Sequence, residues 1–275
     1  MKNIIIITSN SIRHNYFKRS FEKDPGINVL KTYVEAEYSF LLERVDSGSV
    51  RFDDELAQHF IARHNTEYDF FSEIVDFSKD ESQTVYIKKQ QINDRCIVDE
   101  IEKLAPDLIV TYGCSIVRSS LIGKFRNKII NVHLGISPYY LGSGTNFHCL
   151  ANNELQFEGY TFMYMDEGID TGEIIHQSRA EICMFDNPHQ IGNRLIKKMT
   201  KDFIFLINNF HLIKEKKPLK EVLGKTYKIK DATEDLTRQM YKNFHEGSVL
   251  KYLLNKKIID QKYPIIEQSF YEERK

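Results

Sequence analysis

Residues 128–138 read KIINVHLGISP, and how this stretch runs and stops decides what kind of sheet the chain builds. Lys128 to His133 predicts a strand, because a β-branched apolar run is halted by a Gly-Ile-Ser-Pro turn. Successive strand residues face opposite sides, so Asn131 and His133 project together from the strand's end. An amide and an imidazole in that place either tie down a loop or form a catalytic pair. The remainder of the chain has to decide between them.

Outward from this strand, Asn3–Thr8 is a continuous Ile-rich run, as expected of a strand buried on both faces. Ser9, Asn10 and Ser11 then offer caps for a helix over Ile12–Phe21. Strands are predicted at Ile27–Val34, Thr84–Ile87 and Leu108–Tyr112, with helices at Asp53–Arg63, Asp94–Leu104 and Ser119–Lys124. This alternation predicts an α/β fold: a Rossmann-like, mostly parallel twisted sheet with helices on both faces. After His133 come a Gly-, Ser- and Tyr-rich loop to Thr145 and a short helix through Leu150. Strands at Tyr160–Met165 and Glu173–Glu181 follow, separated by DEGIDTG. A long helix is predicted over Asn187–Phe210, with Pro188 in its first turn. Lys214 to Lys230 is lysine-rich around Pro218 and Gly224 and reads as an exposed linker, and the tail from Thr233 reads as helical, then irregular. The expected division is a catalytic domain over 1–212 and a small C-terminal appendage over 213–275.

Of the 275 residues, 38 are Lys or Arg and 39 Asp or Glu, so no global charge points to nucleic acid or an anionic membrane. Apolar runs such as Ile4–Ile7 are too short to span a bilayer. Met1-Lys2-Asn3-Ile4 leads straight into a strand, which predicts no signal peptide and a cytoplasmic location. Cys96, Cys114, Cys149 and Cys183 are irregularly spaced, as for reduced thiols. His59 and His64 stand five apart, off one helical face, and no metal is expected. Thr8 to Ser11 lacks the glycines of G-x-G-x-x-G, and no G-x-x-x-x-G-K occurs. Ser9, Asn10, Arg13 and His14, near a helix start, could hold a phosphate or carboxylate; plain capping is the alternative.

A second informative stretch is MDEGIDTGEII, Met165 to Ile175, which sets Asp166, Glu167 and Asp170 in a Gly-bracketed turn. By itself it is ordinary turn chemistry. Together with Asn131-Val132-His133, Ser137-Pro138 and the upstream Tyr112–Val117, it resembles the formyltransferases that use 10-formyltetrahydrofolate. These act on glycinamide ribonucleotide, methionyl-tRNA or sugar nucleotides, and the likeness runs over roughly residues 80 to 180.

The resemblance implies that Asn131, His133 and Asp170 are catalytic. In such a reaction an amine attacks the formyl carbon, and the oxygen gains negative charge. N–H groups of Asn131 and His133 would meet that oxygen. His133 would also relay a proton, and Asp170 would orient the imidazole, favour its charged form and hold a water. It further implies that Tyr112, Gly113, Cys114, Ser115, Ile116 and Val117 line the folate pocket, closed by the backbone of Met165, Asp166, Glu167 and Gly168.

For the acceptor, the tRNA enzymes carry a basic C-terminal β-barrel and an Arg-Gly-Ala-Ala-Pro stretch. Here the tail pattern is helical, and Leu141-Gly142-Ser143-Gly144-Thr145-Asn146 stands in that loop. The Gly-Asn-Gly-Ser loop of the glycinamide enzymes is also absent. The reading is therefore a nucleotide-linked amino sugar, such as is used for surface polysaccharide, with its base on Tyr139, Tyr140 or Phe147 and with Asn146 also in contact. A homodimer is compatible with this reading; a nucleic-acid or membrane partner is not expected. The alternatives are methionyl-tRNA or another small amine as acceptor, or a non-catalytic folate-binding relative.

Overall fold

Ile4, Ile5, Ile6 and Ile7 are all fully buried, yet they belong to two separate cores, because neighbouring strand residues face opposite ways. Ile4 and Ile6 pack with Leu108, Val110, Ile130 and Val132 on one face; Ile5 and Ile7 pack with Ile109 and Ile129 on the other. A run without alternation is what a sheet covered on both sides requires. The computed structural model describes residues 1–35, 55–214, 216–219 and 221–274.

Among the described residues the main sheet has seven strands: β1 (Lys2–Ser9), β2 (Ile27–Glu35), β3 (Thr84–Ile87), β4 (Leu108–Tyr112), β5 (Ile129–Leu134), β7 (Gly159–Tyr164) and β8 (Ile174–Arg179). Their order is β3-β2-β1-β4-β5-β7-β8. The first five are mutually parallel, and β7 and β8 are antiparallel to their neighbours. Strand order reverses between β1 and β4, which opens a crevice at their carboxyl ends, where open α/β sheets bind ligands. A separate pair joins β6 (Tyr140–Gly142) to β9 (Lys225–Tyr227).

Helices α1 (Ile12–Glu22), α2 (Glu55–Phe77) and α6 (Pro188–Asn208) cover one face through Phe17, Phe21, Phe71 and Phe203. Helices α3 (Arg95–Leu104) and α4 (Ser119–Lys124) cover the other with Ile97, Val98, Ile101 and Leu121. Asn187 starts α6: its side chain accepts from the Gln190 N–H, Gln190 reaches back, and Pro188 fits the first turn. The short α5 (Thr145–Ala151) follows β6, and α7 (Glu234–His245) and α8 (Ser248–Lys262) come last.

The α/β architecture and most element positions agree with the sequence reading. Helix α2 runs well past Arg63, and the expected start at Asp53 lies outside the described residues. The apolar stripe breaks where α2 turns Arg63 and Glu67 toward Arg13. The linker expected over Lys214–Lys230 is corrected, because Lys217 bridges to Ile174 and Lys225–Tyr227 forms β9. Met240, Val249, Tyr252, Phe270 and Tyr271 share the core cluster of the main sheet, so the C-terminal segment packs on the first 212 residues. No described helix is long and apolar enough to cross a membrane.

Candidate active site

Since Ile130 and Val132 of β5 enter one core, Asn131 and His133 emerge on the opposite side. The β4–β5 register sets Thr111 beside Asn131, and its hydroxyl donates to Asn131 Oδ1 at 2.8 Å. With the amide oxygen taken, Asn131 Nδ2 turns to Asp170 Oδ1 at 3.2 Å. That leaves the second amide hydrogen uncommitted among the described residues.

His133 Nδ1 lies 3.1 Å from Asp170 Oδ2, and its Nε2 lies 2.8 Å from the Tyr140 carbonyl. Both partners accept, so the pair favours a doubly protonated ring. Burial opposes charge on His133, but Asp170 and the Tyr140 carbonyl outweigh it and hold its pKa above the usual value. Burial likewise opposes charge on Asp170. His133, the Gly142 N–H at 2.9 Å and Asn131 outweigh that, and its pKa is lowered. The two groups thus form an ion pair, His133 buried and Asp170 partly so, beside a polarised amide, an arrangement suited to meeting a developing oxyanion and moving a proton.

Local backbone features hold it in place. Asp170 adopts φ +54°, a left-handed conformation that Asp tolerates better than most residues. Asp166 fixes the turn from inside, accepting from the Gly168 N–H at 3.1 Å and from the Thr171 hydroxyl at 2.9 Å. Its neighbour Glu167 is exposed. Gly135, at φ +149°, lies so close that a Cβ there would sit 2.7 Å from His133 Nε2.

The segment after β4 forms a pinned rim. Tyr112 is buried, its ring 4.7 Å from that of His14, which also packs on Gly113. Burial and then Glu35 push the Cys114 thiol up to about 12, which keeps it protonated. Ser115 donates to Glu35 through its N–H at 2.6 Å and its hydroxyl at 2.5 Å, while the Gln90 N–H reaches the same carboxylate at 2.9 Å. Val117 is buried, but Ile116 is 53% exposed, and Ile169 on the Asp170 turn is 48% exposed. A cleft of about 410 Å³ runs beside Met165, Asp166 and Glu167, and its lining does not include Asn131, His133 or Asp170.

Candidate acceptor contacts fare unevenly. Ser9 is buried and Asn10 exposed. Arg13 grips both oxygens of Glu67 at 2.9 and 3.1 Å, and Arg63 Nε joins at 2.8 Å. His14 is buried with Nδ1 2.7 Å from Ser11 Oγ, and burial, Arg13 and Arg63 lower its pKa. Neither Arg13 nor His14 is an open surface group. The expected exposed rings are corrected. Tyr139 stacks on Phe157 at 4.4 Å; Tyr140 is 2% exposed, stacks on Tyr227 and gives its hydroxyl to Glu154. Phe147 is packed edge-on with His59. Asn146, in the first turn of α5, keeps a buried Oδ1 with no hydrogen-bond partner among the described residues. The reading missed the Tyr140 carbonyl, the Gly142 N–H, Thr111 and Gly135, which only register or folding brings close. Glu35 did carry a signal, as a carboxylate ending an apolar strand.

Curated relatives include the methionyl-tRNA formyltransferase of Finegoldia magna, 31% identical over 126 residues, or 42% of this chain and 40% of that protein. That of Geobacter sulfurreducens is 36% identical over 99 residues, 36% of this chain and 31% of the relative. The chain therefore spans less than half the length of these relatives. Among solved structures, a phosphoribosylglycinamide formyltransferase from Streptococcus pneumoniae superposes with TM-score 0.53 at 16% identity, covering 77% of this chain and 99% of that one. A sugar N-formyltransferase from a Shewanella species gives TM-score 0.54 at 18% identity, covering 84% and 78%. At such identities these two likenesses speak for the fold. The formyl transferase family model matches residues 58–206, which include β4, β5, the Asp170 turn and nearly all of α6, and the chain belongs to that family.

Proposed function

We propose that this chain transfers the formyl group of 10-formyltetrahydrofolate to an amine, with Asn131, His133 and Asp170 as the reacting constellation. The observation that carries this reading is the joint hold of Asp170 on both Asn131 and His133, at 3.2 and 3.1 Å. The acceptor nitrogen attacks the formyl carbon, and the carbon–N10 bond of the folate then breaks. The second amide hydrogen of Asn131 and the positive His133 stabilise the oxygen's charge. The nitrogen that forms the new bond gives up a proton, and N10 receives one. In this reading Asp170 keeps His133 Nδ1, and the Nε2–H leaves the Tyr140 carbonyl to supply that path at the strand end.

The formyl donor fits the rim between Tyr112–Val117 and Met165–Gly168. Ile116 of the first segment and Ile169, one residue past the second, have exposed aliphatic side chains, and Glu35 holds the backbone of Ser115. A flat heterocycle with a polar edge suits such a slot.

For the acceptor we favour a nucleotide-linked amino sugar in the cytoplasm. The net charge of −1 supports this, as does the run Leu141–Asn146 in the loop where the resembling tRNA enzymes carry arginine. Asn146, whose buried carbonyl has no partner among the described residues and whose neighbour Thr145 donates to the Leu134 carbonyl at the end of β5, offers a hydrogen-bond acceptor for the amine or a sugar hydroxyl. Tyr140, buried, and Tyr139, half-buried with its ring stacked on Phe157, do not serve as base platforms. The second reading, methionyl-tRNA, is favoured by the sequence relatives, which are methionyl-tRNA formyltransferases.

Parallel assays with 3-amino and 4-amino nucleotide sugars and with methionyl-tRNA, at low and moderate salt, decide between them. Formylated sugar with little salt dependence is expected. Efficient formylation of tRNA alone, falling steeply with salt, would reverse the choice.

A further inference from the structure

The segment after α6 delivers a strand to the active site. β9 pairs in parallel with β6, with Tyr140 opposite Lys225, Leu141 opposite Thr226 and Gly142 opposite Tyr227. The pairing is reinforced on either side. Ser143 N–H donates to the Tyr227 carbonyl at 2.9 Å, and the N–H groups of Leu223 and Gly224 donate to the Pro138 carbonyl at 3.1 and 3.2 Å. The Tyr227 ring lies near-parallel to both Tyr140 and His148, with centroids 5.5 and 4.0 Å away. Its hydroxyl accepts from Asn152 Nδ2 at 3.1 Å. Gly224 is pressed so closely on residue 139 that a Cβ would fall 1.6 Å from the Tyr139 carbonyl oxygen.

What β9 grips matters for the chemistry. β6 supplies the Tyr140 carbonyl that meets His133 Nε2 and the Gly142 N–H that meets Asp170 Oδ2. One side chain thus leans on each end of a three-residue strand. That strand lies outside the main sheet, and among the described residues β9 is its one ladder partner. The main sheet positions Asn131 and His133 through β5 and ties Gly135 and Ser137 through Thr161 of β7 and Gln177 of β8, while beyond Ser137 the ladder that holds β6 among the described residues is β9.

We propose that β9 is a positioning element of the catalytic site: by docking Gly224 and Tyr227 on residues 138–143, it fixes the Tyr140 carbonyl and the Gly142 N–H against His133 and Asp170. The C-terminal segment then does more than cover the core. It completes the alignment of the ion pair, and residues nearly a hundred positions beyond His133 tune how that ring is held.

This rests on the formyl-transfer reading only for its kinetic arm, so the experiment has a second readout. Gly224→Ala and Tyr227→Ala are compared with Tyr227→Phe, which keeps the stacked ring. Turnover and the KM for 10-formyltetrahydrofolate are measured, together with NMR titration of the ¹⁵N-labelled His133 ring, assigned with His133→Gln. Thermal melting checks folding, and the half-buried Tyr227→Ala carries the test if Gly224→Ala does not fold. We expect kcat to fall about ten- to a hundredfold in the two alanine variants, as displacement of about 1 Å can cause. KM should change little, the His133 ring should titrate at lower pH, and Tyr227→Phe should behave as wild type. Unchanged kcat together with unchanged His133 resonances in folded Tyr227→Ala would overturn the proposal. If the wild type formylates no amine, the formyl-transfer reading fails, and the NMR titration still decides whether β9 positions His133.

Discussion

His133 and Asp170 meet through Nδ1 and Oδ2 at 3.1 Å, while the other carboxylate oxygen of Asp170 is held by Asn131. One carboxylate therefore orients both groups that face the reacting carbon in the proposed chemistry. It sits on a turn that Asp166 and Thr171 close, 39 residues along the chain from Asn131.

Removing that charge should separate orientation from bulk. Asp170→Asn keeps the shape of the side chain but withdraws the charge that raises the pKa of His133. Turnover is expected to drop about 10²- to 10⁴-fold, the range for loss of a positioned proton-transfer group. The His133 ring should also lose its proton at lower pH than in the wild type. Steady-state kinetics with a ¹⁵N ring titration checks both; a large kcat loss with an unmoved His133 titration would detach Asp170 from the imidazole.

The Asn131 amide should act on the transition state more than on binding. Asn131→Ala is expected to lower kcat about 10²- to 10³-fold, as loss of one oxyanion donor does. Thr111→Val, which frees the amide oxygen without touching Nδ2, should cost far less. Equal losses in the two variants would mean that the amide's role is to knit β4 to β5.

Gly135 is expected to be intolerant of a single methyl group. At φ +149° an added Cβ meets His133 Nε2 at 2.7 Å, so Gly135→Ala must move the ring or the loop. A fall in kcat of at least about tenfold is expected. Wild-type turnover would show that the ring has room to shift without consequence.

Away from the site, Glu158 and Cys149 form a fully buried pair, Cys149 Sγ to Glu158 Oε2 at 2.7 Å. Burial pushes the Glu158 carboxyl up to about 8, so it stays protonated in the folded chain at pH values where the unfolded chain has released the proton. A raised carboxyl pKa means that the folded state binds more protons, and stability must fall as pH rises. The window runs from the ordinary glutamate value to about 8, with a slope of about 1.4 kcal/mol per pH unit from this one group. Chemical denaturation at pH 5, 6 and 7 should show the wild type losing stability relative to Glu158→Gln with that slope, a difference in which the histidines with pKa values lowered by burial, acting in the opposite sense below about pH 6.5, cancel. Parallel profiles would mean that the carboxyl ionises freely in the fold.

Much of this was legible in the sequence because strands and turns announce themselves locally. The isoleucines of β1, the Asn131–His133 alternation and the glycines around Asp170 each follow from the residues beside them. What stayed hidden depends on separations no period encodes. Arg63 and Glu67 interrupt the stripe of α2 because Glu67 is shared by Arg63, one turn before it, and by Arg13, which lies 54 residues away. β9 looked like a linker because its three residues are exposed or half-buried, and its pairing partner β6 lies far back in the chain. Tyr139 and Tyr140 looked available because a loop rich in Gly and Ser suggests solvent, whereas Phe157 and Tyr227 cover their rings.

The most direct measurement follows the formyl carbon itself. The chain is incubated with 10-formyltetrahydrofolate labelled with ¹³C in the formyl group and with a panel of amines that includes amino-sugar nucleotides and methionyl-tRNA. Products of the wild type and of Asn131→Ala, His133→Ala and Asp170→Asn are read by mass spectrometry. Transfer of the label to one acceptor class by the wild type, with each variant reduced about a hundredfold or more, is the expected result. Consumption of the donor with no labelled amine, or equal transfer by wild type and variants, would contradict formyl transfer at the Asn131–His133–Asp170 site.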